Sequence, residues 1–293
     1  MVYLHVDRLR AAGFDAVVAT EDGSRPEWFS AAAPTITFEA VAAGDALVFP
    51  ENYNRLLERF RESPQPKVVF CQNPYYAHRG LREARCYSEL GVDEIIVPGR
   101  GVYDFCTRRF PSLRVSLVPV TVDTNVFKVQ SEKRLQIAYS PRKRPLEAAI
   151  IQDLFWSLHP EFQSIPWVPI ADQTEATVAR ILSESALFLS LCRLEGCPLS
   201  ILEAFASGCL VAGFLGWGGR DYANACNGYW AEEDNCMDCA EQLGRAVTTV
   251  TSNSSLYTEI VSLAHSDARR YGLKRFEDRL LGFWNAYLGR HFR

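Results

Sequence analysis

Between Ala186 and Phe214 the chain reads strand, turn, helix, turn, strand, and no other stretch constrains the fold as much. Ala186-Leu-Phe-Leu-Ser-Leu-Cys192 is apolar almost without a break, as a strand covered on both faces is. A helix follows from Pro198 to Ser207, Gly208 ends it, and Leu210 to Phe214 is again strand-like. Buried strands joined through helices make a parallel sheet clothed on both sides. The turn between such a strand and the next helix is where open α/β sheets hold their ligands. Here that turn and helix carry two carboxylates, Glu195 and Glu203. Carboxylates there can grip hydroxyl groups, and the free N–H groups of a helix start can grip phosphate.

The alternation extends over most of the chain. Tyr3 to Ala12 reads as a helix that Gly13 ends, and Ala16 to Thr20 as a strand. Further strands are predicted at Asp45–Phe49, Lys67–Cys71, Glu94–Pro98 and Arg114–Pro119, with an amphipathic helix through Tyr53, Leu56, Leu57 and Phe60. Residues 20 to 44 carry no clear pattern. After the polar stretch Lys128 to Arg134 the rhythm restarts with a strand at Gln136–Ser140, a helix at Pro145–Ser157 and another at Thr174–Ser185. The last helix is predicted over Arg269 to Leu288, with Phe276, Leu280, Trp284 and Leu288 on one stripe. The expected division is therefore 1–127, 128–268, and a terminal helix over 269–293 that packs back toward the first part. A doubly wound domain normally opens with a strand and a glycine turn, whereas this chain opens inside a helix.

Composition excludes several classes. A net charge of −4 and a pI near 5.8 do not suit a nucleic-acid binder. Arg79, Arg82, Arg85, Arg108 and Arg109 lie among acids, so they make a weak case for single-stranded nucleic acid. No run approaches a membrane span, and the charged first residues give no signal-peptide core. Nine irregularly spaced cysteines suit reduced thiols in the cytoplasm better than a disulfide framework.

Three motifs have both a plain and a functional reading. Arg142-Lys143-Arg144 stands between a strand and a helix start, where three cations oppose the helix dipole unless an anion is bound. Arg can fork onto phosphate oxygens and Lys adds a point charge; the alternative is a solvated basic loop. Ser200 and Glu203 match a capping box, and the alternative is a carboxylate that accepts ribose hydroxyls. Gly216-Trp-Gly218-Gly219 is either a plain turn or a loop against a ligand backbone. It does not match the dinucleotide fingerprint, and no P-loop or hydrolase elbow occurs. Cys236-x-x-Cys239 lacks a second pair at zinc spacing and reads as helix. His5 and His78 are isolated and read as structural.

Glu195-Gly-Cys-Pro-Leu-Ser-Ile-Leu-Glu203-Ala-Phe-Ala-Ser-Gly208 resembles the E-x7-E segment of retaining glycosyltransferases of the group 1 (family 4) type. Val118-Pro-Val-Thr-Val-Asp-Thr-Asn-Val-Phe127 is similar to that family's P-x-G-V-D-x-x-x-F stretch, with Thr121 for the glycine. Ile137-Ala-Tyr-Ser-Pro-Arg-Lys-Arg144 stands where the family keeps an Arg and a Lys for the donor diphosphate. The resemblance implies a GT-B architecture of two Rossmann-like domains with a cleft between them, the N-terminal one lacking its first strand. It implies transfer of a sugar from a nucleoside diphosphate donor, such as a UDP- or GDP-sugar, to a hydroxyl acceptor with retention of configuration. No cofactor and no obligatory metal are implied. The acceptor would be a glycan or a lipid-linked saccharide, and a peripheral contact with the inner face of the membrane belongs to the same expectation. By position, Glu203 would bind the ribose, and Glu195 with the backbone of Cys197, Pro198, Leu199 and Ser200 would hold the sugar. Arg142, with Lys143 or Arg144, would neutralise the diphosphate, and Gly218 would lie against the donor. The resemblance also departs: the opening strand and glycine-rich loop are missing, and Gln72-Asn73 stands where many members carry a histidine. The alternative is a non-catalytic subunit that binds nucleotide or glycan. An in-frame strand and Gly-Gly turn encoded before Met1 would mark a complete enzyme.

Overall fold

The computed structural model describes residues 1–25, 32–81 and 84–292, with 78–80 described by their backbone alone. The side chains of His78 and Arg79 and the whole of Arg82, singled out above, lie outside the described residues. By its internal contacts the chain divides into two compact units, Met1–Val120 with Lys274–Arg293, and Thr121–Leu273. The sequence reading set the corresponding boundaries at 128 and 269.

The first unit opens with α1 (Val2–Ala11), then β1 (Val18–Thr20) and β2 (Thr35–Thr37), which pair in parallel. Strands β3 (Leu47–Pro50), β4 (Lys67–Phe70), β5 (Glu94–Val97) and β6 (Arg114–Leu117) follow and form a separate parallel sheet in chain order. Helices α2 (Asn54–Arg59), α3 (Pro74–Leu81) and α4 (Arg100–Arg109) connect them. The stripe read through Tyr53 to Phe60 gives only a short α2: Tyr53 is its half-exposed N-cap and Leu57 its one buried residue. His5 of α1 is buried against Phe70 of β4, with ring centroids 4.7 Å apart. Burial pushes its imidazole down to about 3, so it stays neutral at physiological pH.

The second unit carries β7 (Arg134–Tyr139), α5 (Pro145–Leu158), β8 (Trp167–Pro169), α6 (Glu175–Glu184), β9 (Ser185–Cys192), α7 (Leu199–Ala206), β10 (Leu210–Leu215), β11 (Tyr229–Trp230), α8 (Cys236–Ser252) and α9 (Ser254–Arg269). Its five strands are all parallel in the order β11-β10-β9-β7-β8. Every residue of β9 is buried, because it is the central strand with helices on both faces. Ile137, Phe155, Leu187, Phe214, Leu243 and Val247 anchor the core beneath α5 and α8. Cys239 belongs to that core, in the first turn of α8, whose N-cap Asn235 accepts the Asp238 N–H at 3.1 Å.

The terminal helix, α10 (Leu273–His291), starts later than the sequence suggested. Arg269 belongs to α9, and Arg270 to Gly272 form a break that a glycine just past a helix end favours. Its buried face is Phe276, Leu280, Phe283, Trp284 and Tyr287. Leu288 is only half-buried, and Tyr287 instead reaches Asp93, donating its hydroxyl at 3.2 Å. Arg290 pairs with Glu94 at 2.6 Å.

Candidate functional site

The order of the second sheet reverses between β7 and β9. From β7 the chain steps out to β8, then returns across β7 to β9 and continues to β10 and β11. At such a reversal the loops leave the two strands in opposite senses, which is where open α/β sheets form a ligand crevice. Because all five strands are parallel, the segments after β7, β9, β10 and β11 gather at that one edge.

After β7 a single 3₁₀ turn, Pro141–Lys143, leads into α5, which has Pro145 at its start. The three cations of this turn have different surroundings. Arg142 is exposed, with no ion-pair or hydrogen-bond partner among the described residues. Lys143 points its Nζ at Glu195 Oε1, 3.5 Å away, with 32% and 23% of the two side chains exposed. That pair brings the turn after β7 against the loop after β9. A partly exposed pair of this kind is weak and can yield to a ligand.

Arg144 is not at the lip. Its side chain is fully buried, with Nε donating to the Cys192 carbonyl at 3.1 Å and the guanidinium 4.5 Å over the Phe214 ring. It forms ion pairs with Glu233, Asp234 and, at 3.5 Å, Glu147. Four of its five N–H donors are taken by protein groups, so the residue expected to help hold the diphosphate is enclosed by acids.

The capping-box reading of Ser200 and Glu203 does not hold either. Helix α7 starts at Leu199, its N-cap is Pro198, and no side chain caps it. Ser200 lies inside the helix with its hydroxyl 3.7 Å from the Cys192 thiol. Glu203 is half-buried in the second turn of α7. Burial, with the Glu175 carboxylate adding, pushes its carboxyl up to about 7. Pro198 is buried and its carbonyl accepts the Tyr222 hydroxyl at 2.5 Å. Cys197 is half-buried, and burial raises its thiol, with Asp221, Glu195 and Cys192 adding to the shift. A protonated thiol there is a poor nucleophile.

The glycine turn after β10 lies against the loop after β9. Trp217 N–H donates to the Arg193 carbonyl at 3.1 Å, and Gly218 N–H to the Glu195 carbonyl at 3.0 Å. A Cβ on Gly218 would lie 2.2 Å from the Gly196 carbonyl oxygen, so backbone contact demands a glycine. Gly216 has φ +61° and its N–H donates to Glu233 Oε2 at 3.2 Å. Glu233, Asp234 and Tyr222 carried no sequence signal. They belong to loops around β11, which has only two residues and shows no strand pattern.

No protein-family profile matches the chain. It is 26% identical over 296 residues to an alpha-1,6-glucosyltransferase of Actinobacillus pleuropneumoniae serotype 7 (strain AP76), covering 94% of this chain and 87% of the relative. Among solved structures, a sucrose-phosphate synthase from Thermosynechococcus elongatus superposes with a TM-score of 0.69 at 11% identity, over 98% of this chain and 92% of that one. S. aureus TarM, solved with fondaparinux, alpha-GlcNAc-glycerol and UDP, gives 0.64 at 14% identity over 85% of this chain. The alignment spans 57% of the TarM chain. These structures show the fold: the chain has the GT-B fold, and in sequence it is similar to a glucosyltransferase.

Proposed function

We propose that this chain transfers a glucosyl group from UDP-glucose to a hydroxyl of a glycan, free or lipid-linked, with retention of configuration. One observation carries the reading. Of three consecutive cations at the switch point, Arg144 and Lys143 are neutralised by acids of the protein, and Arg142 stands exposed without a partner among the described residues. A cation left unmatched beside a helix start suits an incoming anion. The glucosyl donor is the chemistry named for the sequence relative, and UDP is present in the TarM structure.

In this reading Arg142 and Lys143 face the diphosphate. The bond from the sugar C1 to the diphosphate oxygen breaks, and the acceptor oxygen bonds to C1 on the same face. The acceptor proton passes to the departing phosphate oxygen. Charge grows on the diphosphate as that bond breaks, so fixed cations there lower the barrier. Glu195 and the Cys197–Ser200 backbone hold the sugar, and Glu203 the ribose. No metal is assigned a part. Nine cysteines, all free, fit a reducing cytoplasm as the setting.

Incubation with UDP-glucose and a panel of saccharide acceptors, followed by proton NMR of the product, tests this. The small anomeric coupling of an α-glucoside is expected from the α-linked donor. A β-glucoside, or neither transfer nor slow UDP release with any acceptor, would refute it.

Glu203 also makes the protein pH-sensitive. Its carboxyl holds a proton up to about 7 when folded, against an ordinary value of 4.5. Its folded value is raised, so its contribution to stability is full below about 4.5 and is lost as pH rises through 7. Glu203→Gln should therefore flatten the stability profile between pH 5 and 8, read by urea denaturation. It should also remove a rise in UDP affinity over the same interval, because the ionised carboxylate is the better acceptor for ribose hydroxyls.

A further inference from the structure

We propose that Arg144 is a positioning residue, which keeps the four loops at the carboxyl edge of the second sheet in the arrangement that brings Lys143 to Glu195. The proposal rests on the transfer reading above for its effect on rate, and on geometry alone for its effect on the loops.

Arg144 touches strands β9 and β10 at their carboxyl ends and the loop after β11. It belongs to the segment after β7 and follows Lys143 directly. Its Nε donates to Cys192, the last residue of β9. Its plane lies over Phe214 in β10. Its two terminal nitrogens bind Asp234 and Glu233, in the loop after β11, and Glu147 in the first turn of α5. A planar fork with fixed donor directions can satisfy such a set, and a lysine at the same place cannot.

The contact continues beyond the first neighbours. The Glu233 oxygen not turned to Arg144 accepts the Gly216 N–H. Gly216 opens the turn whose Trp217 and Gly218 amides bind the Arg193 and Glu195 carbonyls. One uninterrupted path thus runs from Arg144 through Glu233 and the glycine turn to the backbone of Glu195. The Glu195 side chain returns to Lys143, the neighbour of Arg144. Asp234 has φ +64°, a left-handed backbone that a non-glycine residue seldom adopts unless its surroundings hold it. Asp234 also pairs with Arg144.

The test compares Arg144→Lys and Glu233→Gln with the parent protein. Glu233→Gln leaves one oxygen for two donors, so it can keep the Gly216 N–H only by turning its NH2 to Arg144, which breaks that grip at nearly unchanged size; it decides the matter should Arg144→Lys not fold. Three quantities are read: hydrogen exchange of the Gly216, Trp217 and Gly218 amides, calorimetric affinity for UDP, and kcat with UDP-glucose. Exchange at those amides should quicken by about tenfold or more while β9 stays protected. The value of kcat should fall by about 10²-fold, as small misplacements of reacting groups do, with UDP affinity held within about threefold. Unchanged exchange would overturn the proposal. So would UDP affinity falling as far as kcat, which would put Arg144 on the diphosphate after all. A lowered melting temperature with kcat unchanged would show a scaffold role only and overturn it too. Exchange needs no turnover, so a parent protein inactive with every donor would count against the proposed reaction and leave the exchange result to decide this one.

Discussion

Arg142→Ala should slow glucosyl transfer by about 10²-fold or more, the usual effect of removing one donor to a developing anion, with the fold undisturbed. Arg142 is exposed and has no partner among the described residues, so its removal strands no buried charge and opens no cavity. Lys143 remains on the same turn, so some residual rate is expected. UDP should bind about tenfold more weakly, whereas uridine, which has no phosphate, should bind as before. Raised salt should narrow the difference between variant and parent, because an exposed charge is screened. An equal loss for UDP and uridine would show that the arginine faces the base or ribose instead. An unchanged kcat would remove the diphosphate assignment.

Phe276→Ala should destabilise the first unit by about 3–5 kcal/mol, the range for a fully enclosed phenylalanine. The ring is completely buried and lies 5.2 Å from His5, which stacks in turn on Phe70. Truncation would leave a cavity beside a neutral imidazole whose Nε2 has no hydrogen-bond partner among the described residues, so collapse around the gap would bring little compensation. A protein of two units does not unfold as one state by default, so the loss should be read from hydrogen exchange in β4 and β5. Protection of β9, in the other unit, should not change. A change of less than about 1 kcal/mol in β4 would show that α10 adds little to that core.

The central strands were readable because burial on both faces writes a continuous apolar run, as in Ala186–Cys192 and Lys67–Cys71. Strands β2, β8 and β11 were not readable. They have two or three residues each, too few for any period to show. The join between α9 and α10 was misread because Arg269 continues one helical pattern and the next begins only past Gly272. At the site, Lys143 and Glu195 were legible as residues, and their meeting follows from β7 and β9 being neighbours. The burial of Arg144 was not legible. Two of the three acids that enclose it lie 89 and 90 positions away, in a loop with no motif of its own. Local sequence shows three like cations in a row; only the distant partners separate them.

The first unit is discontinuous in the chain, its last portion, Lys274–Arg293, arriving after the whole of the second. A single cut after Val120 would therefore yield a fragment with an open apolar trough where Phe276, Leu280 and Tyr287 belong. Attempts to obtain that half by itself call for circular permutation or for supplying the terminal peptide in trans, whereas Thr121–Leu273 can be excised as one unbroken length.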